Sequence, residues 1–196
     1  MLRSQPHELP DEQLQNILLV GARGLSQVNG VGAAEPSVRY VATPDHRLRC
    51  LKQLMACATE LAKRESIQRL HGQALTAPQV AKDYFQLHFR GYEAEAFVVL
   101  FVDASLRFLA VEELFRGSLS QTSVYPREVV KRALIHNAGA VFIAHNHPSG
   151  MAEPSRADEY LTKTLQSALS LMEVRLLDHF VVGADAITSF AERGLL

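Results

Sequence analysis

The sequence has almost no net charge, only two cysteines, and no apolar run approaching the length of a membrane span. Its 20 basic residues stand against 21 acidic ones, a net charge of −1 over 196 residues. That balance argues against the basic footprint of a strong nucleic-acid binder and against a polybasic membrane-surface patch. A spanning helix needs roughly 20 consecutive apolar residues, and the N-terminus lacks the basic, apolar, small order of a signal peptide. Cys50 and Cys57 do not have zinc-finger spacing. On one helix they fall near the same face, where free core thiols are expected instead of a disulfide. No repeat or low-complexity segment is present. With 47% apolar and 21% charged residues, the chain has the balance of a globular protein. Its length suits one ordinary domain plus a small appendage, and the expectation is a cytoplasmic protein with no membrane contact.

What is present divides at about residue 72. Residues 10–20 carry apolar residues at helical spacing with Asp11 and Glu12 in the first turn, the acidic start a helix dipole favours. Residues 21–44, rich in Gly, Ser, Ala and Pro, read as loop. Residues 48–65 form a second helix with Leu51, Leu54, Met55, Leu61 and Ala62 on one face. From Thr76 the pattern changes. Thr76 stands as N-cap with Gln79 in the capping-box position, opening a helix to about His88. Residues 96–102 are apolar on both faces, the mark of a central strand. Strands follow at 107–115 and, more weakly, 118–124, then a helix from Pro126 to 137. A buried strand at 140–144, a long helix at 155–172 and a strand at 175–182 complete the set. Strands covered by helices on both sides imply a layered α/β sheet.

The chemistry concentrates in His145-Asn146-His147-Pro148-Ser149-Gly150 and Ser155-Arg156-Ala157-Asp158. Residues two apart on a strand point to one side, so His145 and His147 project together from the end of the 140–144 strand. Pro148-Ser149-Gly150 turns the chain, and Asp158 falls in the first turn of the next helix, able to face back. Two imidazoles and a carboxylate form a three-ligand set of the catalytic zinc kind, its fourth position left to water. Each piece has an ordinary reading as well: His-x-His is common in loops, and Ser155-x-x-Asp158 is itself a capping box. The combination points to metal.

The same text resembles the His-x-His-x(7)-Ser-x(2)-Asp pattern of the JAMM (MPN-type) metalloproteases, and more closely their RadC branch. The matching segments run in order: Glu113-Leu114-Phe115-Arg116-Gly117, the stretch 124–134 beginning Val124-Tyr125-Pro126-Arg127, His145 to Gly150, Pro154-Ser155, Leu177-Asp178-His179, and Ser189-Phe190-Ala191-Glu192-Arg193-Gly194. They cover residues 75–196. The resemblance implies an MPN/JAB domain there, a three-layer mixed sheet flanked by helices and related to cytidine deaminases, after a small helical region at 1–72. It implies Zn2+ on His145, His147 and Asp158. It also implies Ser155 as oxyanion stabiliser and Glu95, at the start of the first central strand, as the proton-transferring base. Glu93 shares the strand phase of Glu95, and Glu112 and Glu113 are later candidates. Asp178 and His179 stand open between orienting a ligand imidazole and ordinary structural hydrogen bonding. Arg127, Lys131 and Arg132 read as a solvated face.

Such proteins usually carry an N-terminal helix-hairpin-helix whose Gly-rich turn meets DNA phosphate. Here Thr43-Pro44-Asp45-His46 lacks the Gly-x-Gly, and Asn29-Gly30-Val31-Gly32 is followed by Ala, Glu and Pro. The leading expectation is therefore a zinc-dependent hydrolase of an amide or isopeptide bond in a protein or peptide. The alternative is a DNA-repair-associated accessory protein with a structural or vestigial metal site, which the near-neutral charge disfavours. Base deamination is disfavoured because the Pro-Cys-x-x-Cys ligand pair is absent.

Overall fold

The computed structural model describes residues 5–26, 44–117 and 124–196. Two compact units divide the chain, Met1–Glu65 and Ser66–Leu196. The first contains α1 (Asp11–Ser26) and most of α2 (Pro44–Leu70). Leu9, Leu14 and Cys57 form its small core, with Ile17, Leu18 and Leu61 against them. Arg64 ties the N-terminal turn down, donating to the Leu9 carbonyl (2.7 Å) and to Asp11 (2.6 Å). Both cysteines are free, Cys57 buried and Cys50 half-buried, and burial pushes the Cys57 thiol up.

Several boundaries differ from expectation in this unit. Residues 21–26 continue α1 instead of opening a loop; 27–43, including Asn29 to Gly32, lie outside the described residues. Pro44, Asp45 and His46 belong to the first turn of α2 itself, because Pro at a helix start needs no N–H partner. Met55 and Leu51 are exposed, so the buried stripe of α2 runs through Cys57 and Leu61.

In the second unit, α3 (Pro78–His88), β1 (Ala96–Val102), β2 (Phe108–Arg116), α4 (Pro126–Ile135), β3 (Ala140–Asn146), α5 (Arg156–Ser170), β4 (Arg175–Val182) and β5 (Ile187–Ser189) follow in order. Their sheet runs β2-β1-β3-β4-β5. β1 is antiparallel to both β2 and β3, β3 is parallel to β4, and β4 is antiparallel to β5. Every residue of β1 and β3 is buried, as strands covered on both faces require. On one face Val98, Leu100, Phe142, Ala144 and Phe180 pack with Ala81, Tyr84 and Phe85 of α3. On the other, Phe97, Val99, Phe101, Val141 and Ile143 pack with Val129 and Ala133 of α4 and Leu165 and Leu169 of α5. The result is the expected three-layer α/β arrangement.

Thr76 is not the cap of α3. Ala77 holds that position without a side-chain bond, and Pro78 starts the helix. The preceding chain is committed elsewhere: Leu75 is buried and its N–H donates to the Leu106 carbonyl (2.8 Å), beside an Ala74–Arg107 bridge. α2 runs past residue 65 because Ile67 and Leu70 join the core of the second unit. The weak strand expected at 118–124 falls on 118–123, outside the described residues, and Val124 is not in a strand. Among the described residues no helix is long and apolar enough to cross a membrane.

Candidate metal centre

His145 and Asn146 are the last residues of β3, and His147 follows them. The strand alternation sends both imidazoles to the α4/α5 face, where Phe97 is the Cα partner of His145. His145 Nε2 and His147 Nε2 lie 3.0 Å apart. Asp158 Oδ1 is 3.3 Å from His145 Nε2, and Asp158 Oδ2 is 3.6 Å from His147 Nε2. The three side chains form a group whose ligand atoms all lie within 4.8 Å of one another. Donors about 2.0–2.1 Å from one tetrahedral ion stand about 3.3 Å from each other, so the set fits a single ion with little movement.

The other ring nitrogens are also engaged. His147 Nδ1 is 2.9 Å from the Met151 carbonyl, which can only accept. His147 therefore carries its proton on Nδ1 and turns the Nε2 lone pair inward. His145 Nδ1 is 2.8 Å from His179 Nε2. Hydrogen bonding to Asp158 raises the His147 pKa, and the Met151 carbonyl and the Glu95 charge add to the effect. Burial pushes Asp158 up, yet His145 and His147 more than reverse this and hold it well below the usual carboxylate range. A carboxylate and two imidazole nitrogens in so small a space suit a cation.

Asp158 has a second duty. Ser155 caps α5, its Oγ accepting from the Asp158 N–H (3.2 Å), while Asp158 Oδ2 accepts from the Ser155 N–H (2.7 Å) and hydroxyl (2.6 Å). The capping box and the donor set are thus one structure. Ser155 is exposed, one hydrogen bond from the donor cluster.

Glu95 precedes β1. The β1–β3 register pairs Phe97 with His145, and Glu95, two residues earlier, is close enough for its charge to act on His147. Asn146 extends the ladder with its side chain: Oδ1 accepts from Ala96 N–H (2.8 Å), and Nδ2 donates to the Ala94 carbonyl (3.0 Å). The Glu95 carbonyl accepts from Gly117 N–H (2.8 Å). Its backbone is held from both sides.

The other acids lie elsewhere. Glu93 is exposed. Glu112 accepts from Arg132 and is 2.7 Å from His136, and Glu113 pairs with Arg116 and Tyr92; both sit on β2, which β1 separates from β3. Arg132 is thus an ion-pair partner and not part of a solvated face, whereas Arg127 and Lys131 are exposed beside Glu128. Asp178 does not touch His145: it accepts from the His179 and Ala191 N–H groups and the Ser189 hydroxyl, and burial raises its pKa. His179 is the residue that reaches the donor set.

Three contributors went unread in the sequence: Asn146, His179's partner Thr162, and Met151. Thr162 carried one usable signal, its position four residues after Asp158 on the same helix face. A cavity of about 270 Å³ lies alongside, lined by Arg90, Tyr92, Asn146, His147 and Gly183 among others. It meets the donors only through His147.

A mixed sheet between helical layers, with His-x-His at the end of its central strand and an acid on the following helix, defines a JAB-type domain. A family model described as "RadC-like JAB domain" matches residues 75–195, and the chain belongs to the RadC family. It is 49% identical over 181 residues to a UPF0758 protein of Leptothrix cholodnii, covering 92% of this chain and 74% of that one. A UPF0758 protein of Chromobacterium violaceum is 48% identical over 184 residues, 92% of this chain and 82% of the relative. Another, of Nitrosomonas eutropha, is 55% identical over 138 residues, 70% and 62% of the two chains. Those names state no activity.

Proposed function

We propose that this protein is a zinc-dependent hydrolase that cleaves an amide or isopeptide bond of a peptide or protein. The observation that carries this is the convergence of His145 Nε2, His147 Nε2 and an Asp158 oxygen at the spacing of one tetrahedral ion. Two imidazoles and one carboxylate suit zinc with an open fourth position. When bound, the ion supplies an acidified water and polarises the carbonyl under attack. Glu95 would hold a proton on its carboxylate between the attacking water and the leaving amine nitrogen. The Ser155 hydroxyl, released from Asp158, donates to the carbonyl oxygen as negative charge develops there. Asn146 and Gly117 hold the Glu95 backbone in register with His147 through both steps.

Zinc analysis paired with a panel of peptide, isopeptide and small-amide substrates tests the proposal. The expected result is close to one zinc per chain, lost in His147→Ala. Glu95→Gln should retain zinc and lose about 10²- to 10⁴-fold in turnover. A reconstituted wild type without zinc refutes the proposal. Full activity in Glu95→Gln moves the base to another carboxylate. A salt-dependent shift of duplex DNA that survives metal removal would favour the accessory role instead.

A further inference from the structure

We propose that Thr162 is a positioning residue which, through His179, sets the tautomer of His145 and so aims its Nε2 lone pair into the donor set. The Thr162 hydroxyl lies 2.6 Å from the Asp158 carbonyl oxygen, which has no proton to give, so the hydroxyl donates its single hydrogen there. The same Oγ1 lies 2.7 Å from His179 Nδ1. Having spent its proton, it must accept, and His179 carries N–H at Nδ1.

His179 is fully buried and neither of its hydrogen-bond partners is a carboxylate that would hold an imidazolium, so the ring is neutral and Nε2 is a lone pair. That lone pair lies 2.8 Å from His145 Nδ1, which therefore holds the proton of its own ring. His145 Nε2 is left bare, 3.0 Å from His147 Nε2 and 3.3 Å from Asp158. Reversing any one proton reverses the next. The rings are also held in place: Phe190 stacks on His179 at 4.6 Å and 24°, and Phe97 meets it edge-on at 6.1 Å. Asp158 closes the circuit, its carboxylate in the donor set and its carbonyl fixing the hydroxyl that orients the other ligand.

The tautomers stand on hydrogen bonds alone; only their effect on zinc rests on the proposed metal centre. Long-range 1H–15N correlation of the imidazoles in the full chain, with and without zinc, reads them directly. Wild type and Thr162→Ser should both show His179 and His145 protonated at Nδ1. In Thr162→Val, His179 loses its acceptor and moves its proton to Nε2. His145 then becomes the Nε2–H form, and zinc affinity by chelator competition falls about 10- to 100-fold.

Wild-type His179 protonated at Nε2 would overturn the proposal, with no variant needed. So would a Thr162→Val chain whose tautomers and zinc affinity match those of Thr162→Ser. If Thr162→Val does not fold, the wild-type and Thr162→Ser spectra still decide. Failure of the wild type to bind zinc while the Nδ1–H pattern is present would sink the metal centre and leave the relay standing.

Discussion

Asn146 offers the sharpest test of how the site is assembled. It sits between the two histidines, and the strand alternation turns its side chain to the opposite face. It is only 5% exposed, and its amide makes the two bonds that bracket Glu95. Asn146→Ala removes both and withdraws the acceptor from the N–H of Ala96, a fully buried residue. Each net hydrogen bond contributes about 1 kcal/mol, and a stranded buried donor adds about 1–3 kcal/mol. The expected loss is about 3–5 kcal/mol by urea titration. Asn146→Leu, which keeps the volume, should lose a similar amount, separating the bonds from a cavity effect. Hydrogen exchange at the Ala96 amide should accelerate in both variants. Zinc affinity should change only a few-fold because no donor is touched, whereas turnover should fall about 10-fold or more as Glu95 loses its register. A loss below about 0.5 kcal/mol with unchanged exchange at Ala96 would refute the clamp.

Two further perturbations probe the surroundings. A Cβ on Gly183 would overlap the Gly150 carbonyl oxygen and lie 2.9 Å from Ala152 N, so Gly183→Ala must push away the loop whose Met151 carbonyl fixes His147. Zinc affinity should fall about 10-fold, with about 1–3 kcal/mol of stability lost to overpacking; unchanged chelator competition would show that this turn does not support the donor. Arg132 and His136 together hold Glu112 below the usual carboxylate range, the Arg132 hydrogen bond being the largest cause and outweighing burial. A carboxylate lowered in the folded state stabilises it fully above the unfolded value of about 4.3 and loses that contribution as pH falls through its own lowered value. The gap in melting temperature between wild type and Glu112→Gln should therefore be largest near pH 7 and shrink toward pH 3; a gap constant across that range would exclude the ion pair as its source.

Much of the architecture could be read from residues near one another in sequence. The runs at Ala96–Val102 and Ala140–Asn146 are apolar on both faces, and only a sheet covered on both sides needs that. His145 and His147 share a strand face, and Asp158 returns one turn into the next helix, so the donor set also follows from short spacing. What escaped depends on contacts distant in sequence. His179 lies 34 residues from His145, Thr162 lies 17 from His179, and Asn146 lies 50 from Ala96. Asp178 and His179 adjoin on β4 and face opposite ways, so adjacency could not say which one meets the ligand. Thr76 failed as a cap for the same kind of reason: its neighbour Leu75 was already bonded to Leu106.

The mixed pairing of the sheet explains why one strand end collects so many groups. An all-parallel neighbourhood would bring only the ends of other strands to the end of β3. Because β1 is antiparallel to β3, its beginning arrives there instead, bringing Glu95 within electrostatic reach of His147. Because β4 is parallel to β3, its later residues run alongside, and His179 enters under His145. The turn after His147 then delivers the N-terminus of α5, whose dipole favours a carboxylate in its first turn. Asp158 therefore sits where both helix and imidazoles attract negative charge, and the Ser155 cap holds it there. The proposed base, the candidate ligands and the ring beside them thus come from the neighbourhood of three strands and one helix. A rearrangement of any one pairing would scatter them, which is why Asn146, clamping β1 to β3 at that end, carries an importance its place between two ligands does not announce.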